Sequence, residues 1–537
     1  MTKLTFYGGI REIGGNKILL EDEGENLLLD FGFPYKRHKL FYEEYLKPRS
    51  GAGILDPLSM GMIPPLEGIY RKDIASPEIW CQFRHHPFYR KLDNIDGVLL
   101  SHAHFDHSAH IAFLHEDIPI FSTALTAFIA KSTQDSGRSD FDQQVCYYSP
   151  AAEKYPTGCK QVAFISSGEA KCQRQFYLGD MDVRSLSDQA NNFWSWSLGF
   201  SEKKGRQKEI ASRPLRNLDA LNLELKCFSV DHSIPGACAW GINTNSGWVI
   251  YSGDLRLHGK RTLSTRRFIE QTASLQPRVL IIEGTNINRD KNISEQEVYE
   301  NAMHAITKAQ NLVIADFSAK DIDRLLTFLQ IARDTDRKLA ILPKDAYLLK
   351  TMRLLDKEIP DIAQDKNIVI YHDTVARADT WVQNIFQEYA DKVVLAEDLG
   401  KSQEEFILCF SFFDLNEFPS MHPQKNSLYV FSSSEPHDEE QQIDFRRLHN
   451  WLEHFGFVSY GLPEEKDGEW QIPENERGLH ASGHACGADL ISIVKNINPD
   501  FLIPVHSEAP ELYIKYLEDT KIKVLLPEMG ESIIIQH

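Results

Sequence analysis

The sequence predicts an α/β protein of at least two lobes, and three observations lead there. At 537 residues the chain is too long for one simple core. Its first half carries short apolar runs between Gly, Asp and Asn, the mark of strands joined by tight turns. After about Arg278 the rhythm becomes strand then helix, repeated, which implies a parallel-type α/β lobe.

In the first region strands are expected at Leu4–Tyr7, Lys17–Leu20, Leu27–Asp30, Gly97–Leu100, Leu223–Val230, Ala237–Ile242 and Trp248–Tyr251, an antiparallel, sandwich-like set. In the second, Val279–Ile282 precedes a helix opening at Ser294, where Ser294 and Glu297 have the spacing of a capping box. Leu312–Ala315 precedes Asp321–Ala332, Leu339–Leu342 precedes Ala346–Leu355, and Ile368–Tyr371 precedes a helical stretch from about Thr374 to Tyr389. The final stretch repeats the pattern with Leu428–Phe431, Gln441–His454, Phe501–Val505, Pro510–Glu518 and Ser532–Ile535.

A hydrophobic share of 42% and a charged share of 25% exclude wholesale disorder and a fibrous class. The N-terminal residues lack a basic segment followed by an apolar one, and no stretch is apolar and long enough to span a bilayer, so neither export nor a membrane partner is expected. Eight scattered cysteines without a Cys-x-x-Cys pair point to reduced thiols and a cytoplasmic location.

The net charge of −19 argues against indiscriminate adhesion to nucleic acid, since phosphate binding rests on Lys and Arg. Two local basic runs could still serve as tracks. One is Lys203, Lys204, Arg206, Lys208, Arg213 and Arg216; the other is Arg256, Lys260, Arg261, Arg266 and Arg267. A solvated loop explains the first at least as well. The aromatics Trp80, Phe83, Phe88, Phe193, Trp194 and Trp196 are expected to cover the core rather than stack bases.

The densest chemical signal is His102, His104, Asp106 and His107, four metal-binding side chains within six positions directly after an apolar strand. Extended spacing sends His102 and His104 to one side, while a turn into a helix lets Asp106 and His107 face a second ion. Imidazole and carboxylate suit zinc, and also manganese or iron. His232, Asp254 and His506 each follow a strand candidate, where a loop can present them inward.

With these residues in place, the chain resembles the metallo-β-lactamase superfamily, and within it the β-CASP nucleases of the ribonuclease J family. The resemblance rests on the stretch Gly8 to Asn16, on Leu29-Asp30-Phe31-Gly32, on Asp231-His232-Ser233-Ile234-Pro235-Gly236 and on Ser252-Gly253-Asp254-Leu255-Arg256. It implies that His102, His104 and His232 hold one divalent ion, that Asp106, His107 and His506 hold another, and that Asp254 bridges them. Asp30 would brace the ligands from behind. The ions would be zinc, with manganese as the alternative.

The resemblance also implies an inserted α/β domain carrying Glu283, His484 and His506. Two cations close together can activate water and neutralise the charge that builds up on a phosphodiester. His484 would then act as general acid, oriented by Glu283, with Asp106 at the reacting centre. Ser432, Ser433, His480 and Ser482 would grip a neighbouring phosphate. The fold implied is an αββα sandwich at 1–277, with long insertions at about 33–92 and 108–221, a β-CASP domain at 278–435, and a return segment at 436–537. The long insertions are expected to remodel the access route and are candidate contacts for a partner chain.

The function expected is cleavage of RNA, as exonuclease or endonuclease. Two other classes compete: a DNA nuclease on the same machinery, and a hydrolase of a thioester, lactone or cyclic nucleotide. A binding protein that has lost catalysis is disfavoured by the complete ligand set. Oligomeric state stays open.

Overall fold

A computed structural model describes residues 1–43, 45–137, 143–155, 163–196, 210–218, 221–318, 320–373, 378–433, 439–466 and 468–536. Two compact units emerge, one of 1–257, 261–291 and 484–537, the other of 258–260 and 292–483.

The first unit holds two large sheets. The order in the first is Arg216–Asn217, Phe176–Leu178, Ile120–Ser122, Gly97–Leu99, Glu25–Leu29, Lys17–Asp22, Thr2–Gly8, Ser532–Ile535. Thr2–Gly8, Lys17–Asp22 and Glu25–Leu29 pair antiparallel, as expected from their tight turns, but the sheet then continues in parallel through Gly97–Leu99. The second sheet runs Glu224–Ser229, Cys238–Thr244, Gly247–Tyr251, Val279–Glu283, Phe501–Val505, Lys523–Val524, antiparallel at its start and parallel thereafter. Leu4, Phe6, Ile18, Leu20 and Leu29 of the first sheet share one buried cluster with Trp240, Ile242, Val249, Ile281 and Ile503 of the second. Removal of this apolar surface from water holds the sandwich together.

Helices cover the outer faces. Phe268 of Thr262–Ser274, and Leu490, Ile493, Val494 and Ile497 of Gly487–Ile497, pack on the back of the second sheet. Trp194 stacks on Phe128 of the helix Ala124–Ser136 and meets Phe176 of the first sheet edge-on. Trp80, Phe83 and Phe193 are buried too, so these aromatics serve packing, whereas Trp196 is exposed.

The second unit is a seven-stranded parallel sheet, ordered Val393–Leu395, Ile368–His372, Lys338–Ile341, Phe406–Cys409, Val313–Asp316, Leu428–Phe431, Val458–Tyr460. Its helices include Glu295–Ile306, Ile322–Asp334, Pro343–Arg353 and Glu439–Phe455. The capping box at Ser294 is formed, with Glu297 N donating to Ser294 Oγ and Ser294 N to Glu297 Oε2. The helical stretch expected from Thr374 begins at Thr380, residues 374–377 lying outside the described set.

Three expectations need correction. The inserted unit spans 292–483 rather than 278–435, because Val279–Glu283 is hydrogen-bonded between Gly247–Tyr251 and Phe501–Val505 in the first unit. The return segment does not begin at 436: Leu428–Phe431 lies between Val313–Asp316 and Val458–Tyr460, and the return falls near His484. A short apolar parallel strand reads alike in either sheet, so its own residues do not reveal its neighbours. Lastly, the region 108–221 is not all insertion, since Ile120–Ser122, Phe176–Leu178 and Arg216–Asn217 extend the first sheet. No helix among the described residues is long and apolar enough to cross a membrane, and none of the described cysteines is bridged.

Candidate active site

The polar residues of the site sit at or just beyond the C-terminal ends of strands. Asp30 follows Glu25–Leu29, His102 follows Gly97–Leu99, His232 follows Glu224–Ser229, Asp254 follows Gly247–Tyr251, Glu283 ends its strand and His506 follows Phe501–Val505. There the backbone leaves the ladder and side chains can converge. Asp30 and His506 both take positive φ, 55° and 52°, an uncommon conformation for residues with a side chain that is tolerated where the surroundings enforce it. His104 leads into the short helix Phe105–Ser108, which presents Asp106 and His107. That turn sits against Gly32, where a Cβ would lie 1.6 Å from the Asp106 carbonyl oxygen, so only glycine admits this approach.

The expected ligands come together. His104 Nδ1 lies 3.1 Å from His102 Nε2 and 3.0 Å from His232 Nε2. Asp106 Oδ2 lies 3.2 Å from His506 Nε2 and 3.8 Å from His107 Nε2. Asp254 Oδ2 stands between the groups, 3.1 Å from His107, 3.7 Å from His102, 3.8 Å from His506 and 3.9 Å from His232. All are buried except His104 and Asp106, which are partly open.

Neighbouring groups decide which ring nitrogens face inward. Asp30 accepts from His107 Nδ1 at 2.7 Å, from Ser101 N and Oγ, each at 2.7 Å, and from Tyr251 OH at 2.6 Å. Because Ser101 Oγ gives its proton to Asp30, it receives one from His102 Nδ1 at 3.0 Å. Thr285 Oγ1 gives its proton to the His506 carbonyl and receives one from His506 Nδ1 at 2.8 Å. These three rings therefore spend Nδ1 outward and turn Nε2 to the centre, the arrangement of a metal-ligating histidine, whereas His104 turns its Nδ1 inward.

This donor set fits divalent cations. Burial, with His107, His232 and His104 close by, holds His102 well below its ordinary range, so its ring is neutral and its lone pair is exposed to the centre. Burial would do the same to His107, yet Asp254, Asp106 and Asp30 outweigh it and hold that ring well above the ordinary range. The proton so favoured stands where a cation would. Asp254 Oδ1 is buried without a hydrogen-bond partner, which a metal ion would supply, and His107 Nε2 faces Asp254 Oδ2 at 3.1 Å. The side chains form four groups with metal-binding geometry: His102 with His104 and His232; Asp106 with His107 and His506; His102 with His107 and Asp254; and Asp254 with Glu283, His484 and His506.

His484 belongs to the same first unit. Its Nδ1 donates to Glu283 Oε2 at 2.9 Å and lies 3.8 Å from Asp254 Oδ2. Burial would strip its proton, but the Glu283 and Asp254 carboxylates more than offset this and raise it to about 9. Glu283 is itself pinned, accepting from Leu255 N at 2.9 Å.

The expected phosphate grip lies in the second unit and is altered. Ser432 is buried; its hydroxyl donates to the Leu479 carbonyl and accepts from Arg324, so it is not presented to a ligand. Ser433 is half-buried and its side chain bonds to Asp316. His480 Nδ1 approaches the Ser432 carbonyl at 3.5 Å, and the Ser482 carbonyl accepts from His258 Nε2 at 2.8 Å. Ser434 lies outside the described residues.

Three residues of the basic runs, Arg213, Arg256 and Arg261, are engaged within the protein. Lys203, Lys204, Arg206 and Lys208 lie outside the described residues. Arg213 bonds to the Glu116 carbonyl and to Asp117. Arg256 is fully buried against Asp231, and Arg261 donates to the His232 carbonyl, so these two brace the His232 loop instead of a phosphate track. The pattern missed Ser101, Tyr251 and Thr285, whose roles appear only once distant segments meet; adjacency of Ser101 to His102 and of Thr285 to Glu283 was the sole signal.

A two-sheet sandwich with converging histidines and carboxylates at its strand ends, interrupted by a parallel α/β unit, defines the class: a metallo-β-lactamase-type fold with a β-CASP-type insertion. Comparison with known proteins narrows this. Residues 473–527 match the family model described as the Zn-dependent metallo-hydrolase RNA specificity domain. Ribonuclease J of Mycoplasma pneumoniae is 24% identical over 310 residues, 56% of this chain and 48% of that protein. Ribonuclease J of Helicobacter pylori strain B128 is 20% identical over 94% of this chain and 56% of its own length, and that of Mycobacterium tuberculosis H37Rv 21% identical over 99% and 74%. The chain thus spans about half the length of the first two relatives. A crystal structure of a protein of unknown function from Enterococcus faecalis V583 superposes with a TM-score of 0.64 at 20% identity, covering 99% of each chain. Over most of its length the chain is similar to ribonuclease J.

Proposed function

We propose that this chain is a metal-dependent phosphodiesterase that cleaves RNA. The observation that carries the reading is the convergence of His102, His104, Asp106, His107, His232, Asp254 and His506 beside the Glu283–His484 pair. The RNA-specificity model over residues 473–527 and the ribonuclease J relatives favour RNA over DNA and over a small ester.

His102, His104 and His232 would hold one ion, Asp106, His107 and His506 a second, and Asp254 would touch both. Zinc, or manganese in its place, would polarise a non-bridging phosphate oxygen and activate water. The protein's own part is positional and acid–base. Asp30, Ser101, Tyr251 and Thr285 fix the rings, so that no reorganisation is needed when charge develops. His484, kept protonated by Glu283 and Asp254, would give its proton to the leaving oxygen as the strand breaks.

The test is incubation of the purified protein with end-labelled RNA and DNA of one sequence, with Zn²⁺ or Mn²⁺, beside Asp106→Ala. Cleavage of RNA by the wild type alone is expected. Inert protein in both metals overturns the reading, and hydrolysis of a thioester, lactone or cyclic nucleotide that survives Glu283→Ala assigns the site to a small-molecule hydrolase.

A further inference from the structure

The loop that carries Asp30 continues into a segment of unusual chemistry. After Phe33 and Pro34 comes the short helix Tyr35–Lys39, and residues 40–43 and 45–49 that follow contain no helix or strand. Between positions 35 and 49 stand five Lys or Arg residues against two Glu, in a chain whose net charge is −19. Large rings stand in water among them: Tyr35 is 45% exposed, Phe41 43% and Tyr45 87%. Large exposed apolar groups gathered in one segment mark a surface that meets something else.

Its position says what. Phe33 N donates to the Phe105 carbonyl at 3.1 Å, and the two rings lie 5.6 Å apart, Phe105 being the residue before Asp106. From Phe33 the ring contacts run outward to Tyr35 at 5.2 Å and His38 at 4.9 Å, and from His38 to Tyr42 at 5.2 Å. On the other side Lys36 Nζ bonds to Glu508 at 2.7 Å, two residues past His506. The segment is therefore tied to both stretches that present Asp106 and His506, and its exposed Tyr35 ring continues a line of aromatics starting beside Asp106, with Phe41 and Tyr45 exposed further along the same segment.

We infer that Tyr35, Phe41 and Tyr45 form a stacking rim for the bases of a single-stranded RNA whose scissile phosphate lies at the Asp106–His506 site. Every base presents a π-face, so stacking on such rings binds a strand without reading its sequence; Lys36 and Arg49 are held by Glu508 and Asp56, so the rings and not the charges carry the contact. The inference rests on the nuclease reading for the location of the scissile bond. It gives the start of the segment 33–92, as far as Tyr45, a role in guiding substrate rather than in docking a protein.

The test is fluorescence anisotropy with end-labelled single-stranded RNA of about 20 and about 4 nucleotides, lengths that do and do not extend beyond one stacking site. Tyr35→Ala, Phe41→Ala and Tyr45→Ala combined should weaken binding of the longer strand at least about 10-fold and that of the shorter one much less. Tyr35→Phe with Tyr45→Phe, which keeps the rings, should bind as the wild type does. Unchanged affinity for the longer strand, or equal loss at both lengths, overturns the rim. A changed oligomeric state without loss of RNA binding overturns it too and assigns the segment to a protein contact. Ring-dependent binding without cleavage leaves the rim standing and sinks the nuclease reading; cleavage with affinity indifferent to the rings does the reverse.

Discussion

His484 donates through Nδ1 to Glu283 Oε2 at 2.9 Å, although the two residues lie 201 positions apart and on opposite sides of the inserted unit in the chain. The bond orients the imidazole and supports its charge. If His484 is the general acid, His484→Ala should lower kcat on labelled RNA by about 10²–10⁴-fold. Glu283→Gln should lower it less. The double variant should be no worse than His484→Ala, since both changes remove one unit. Additive losses would show that Glu283 acts on its own.

The buried Asp254 Oδ1, which has no hydrogen-bond partner, and His107 Nε2, which faces Asp254 Oδ2 at 3.1 Å, predict coupling of metal to stability. A cation that binds only the folded chain raises the unfolding free energy by about 2.7 kcal/mol when present at about 100 times its Kd. Thermal unfolding of chelator-treated protein should shift upward on adding Zn²⁺. Asp254→Ala should abolish most of that shift, and an equal shift in the variant would place the ion elsewhere.

In the second unit, burial pushes the Asp316 carboxyl up to about 7, despite hydrogen bonds from Tyr429 and Ser433. The folded state therefore holds a proton that the unfolded chain releases near pH 3.8. The stabilising contribution is complete below that value and is lost as pH rises through about 7, an upper bound of about 4 kcal/mol. Asp316→Asn, neutral at every pH, should flatten the pH dependence of denaturant unfolding between about pH 5 and pH 8. An unchanged slope would show that Asp316 does not titrate in this range.

Arg324 is fully buried and gathers Glu295, the Ser432 carbonyl and hydroxyl, and the Leu479 carbonyl. Arg324→Ala removes the cation that faces the buried Glu295 carboxylate and should cost about 3–5 kcal/mol in denaturant unfolding. Adding Glu295→Leu should recover part of that loss. Full recovery would mean that the bonds to Ser432 and Leu479 contribute nothing.

Much of the site was legible because its residues carry their chemistry on their faces. His102, His104, Asp106 and His107 crowd into six positions, and His232, Asp254 and His506 each end an apolar run that is a strand in the structure. Strand and helix types in the second unit followed from periodicity for the same reason. What was hidden depends on partners distant in the chain. Ser432 offers a hydroxyl to any reader of the sequence, but Arg324 and Leu479 have already engaged it. Arg256 looks like a phosphate contact until Asp231 closes on it. Ile120–Ser122 and Phe176–Leu178 are three residues each, too short for alternation to show, and they take their place only through neighbouring strands. The helix Gly487–Ile497 opens on a glycine, an unfavourable helical residue tolerated here because a Cβ would lie 2.3 Å from the Ile287 carbonyl oxygen.

The most direct measurement is anomalous diffraction from crystals grown with Zn²⁺ or Mn²⁺. The account predicts two peaks inside the cage, one contacted by His102, His104 and His232 and the other by Asp106, His107 and His506, with Asp254 shared. A cage without anomalous density at saturating metal, or a single ion bound away from Asp254, would contradict it.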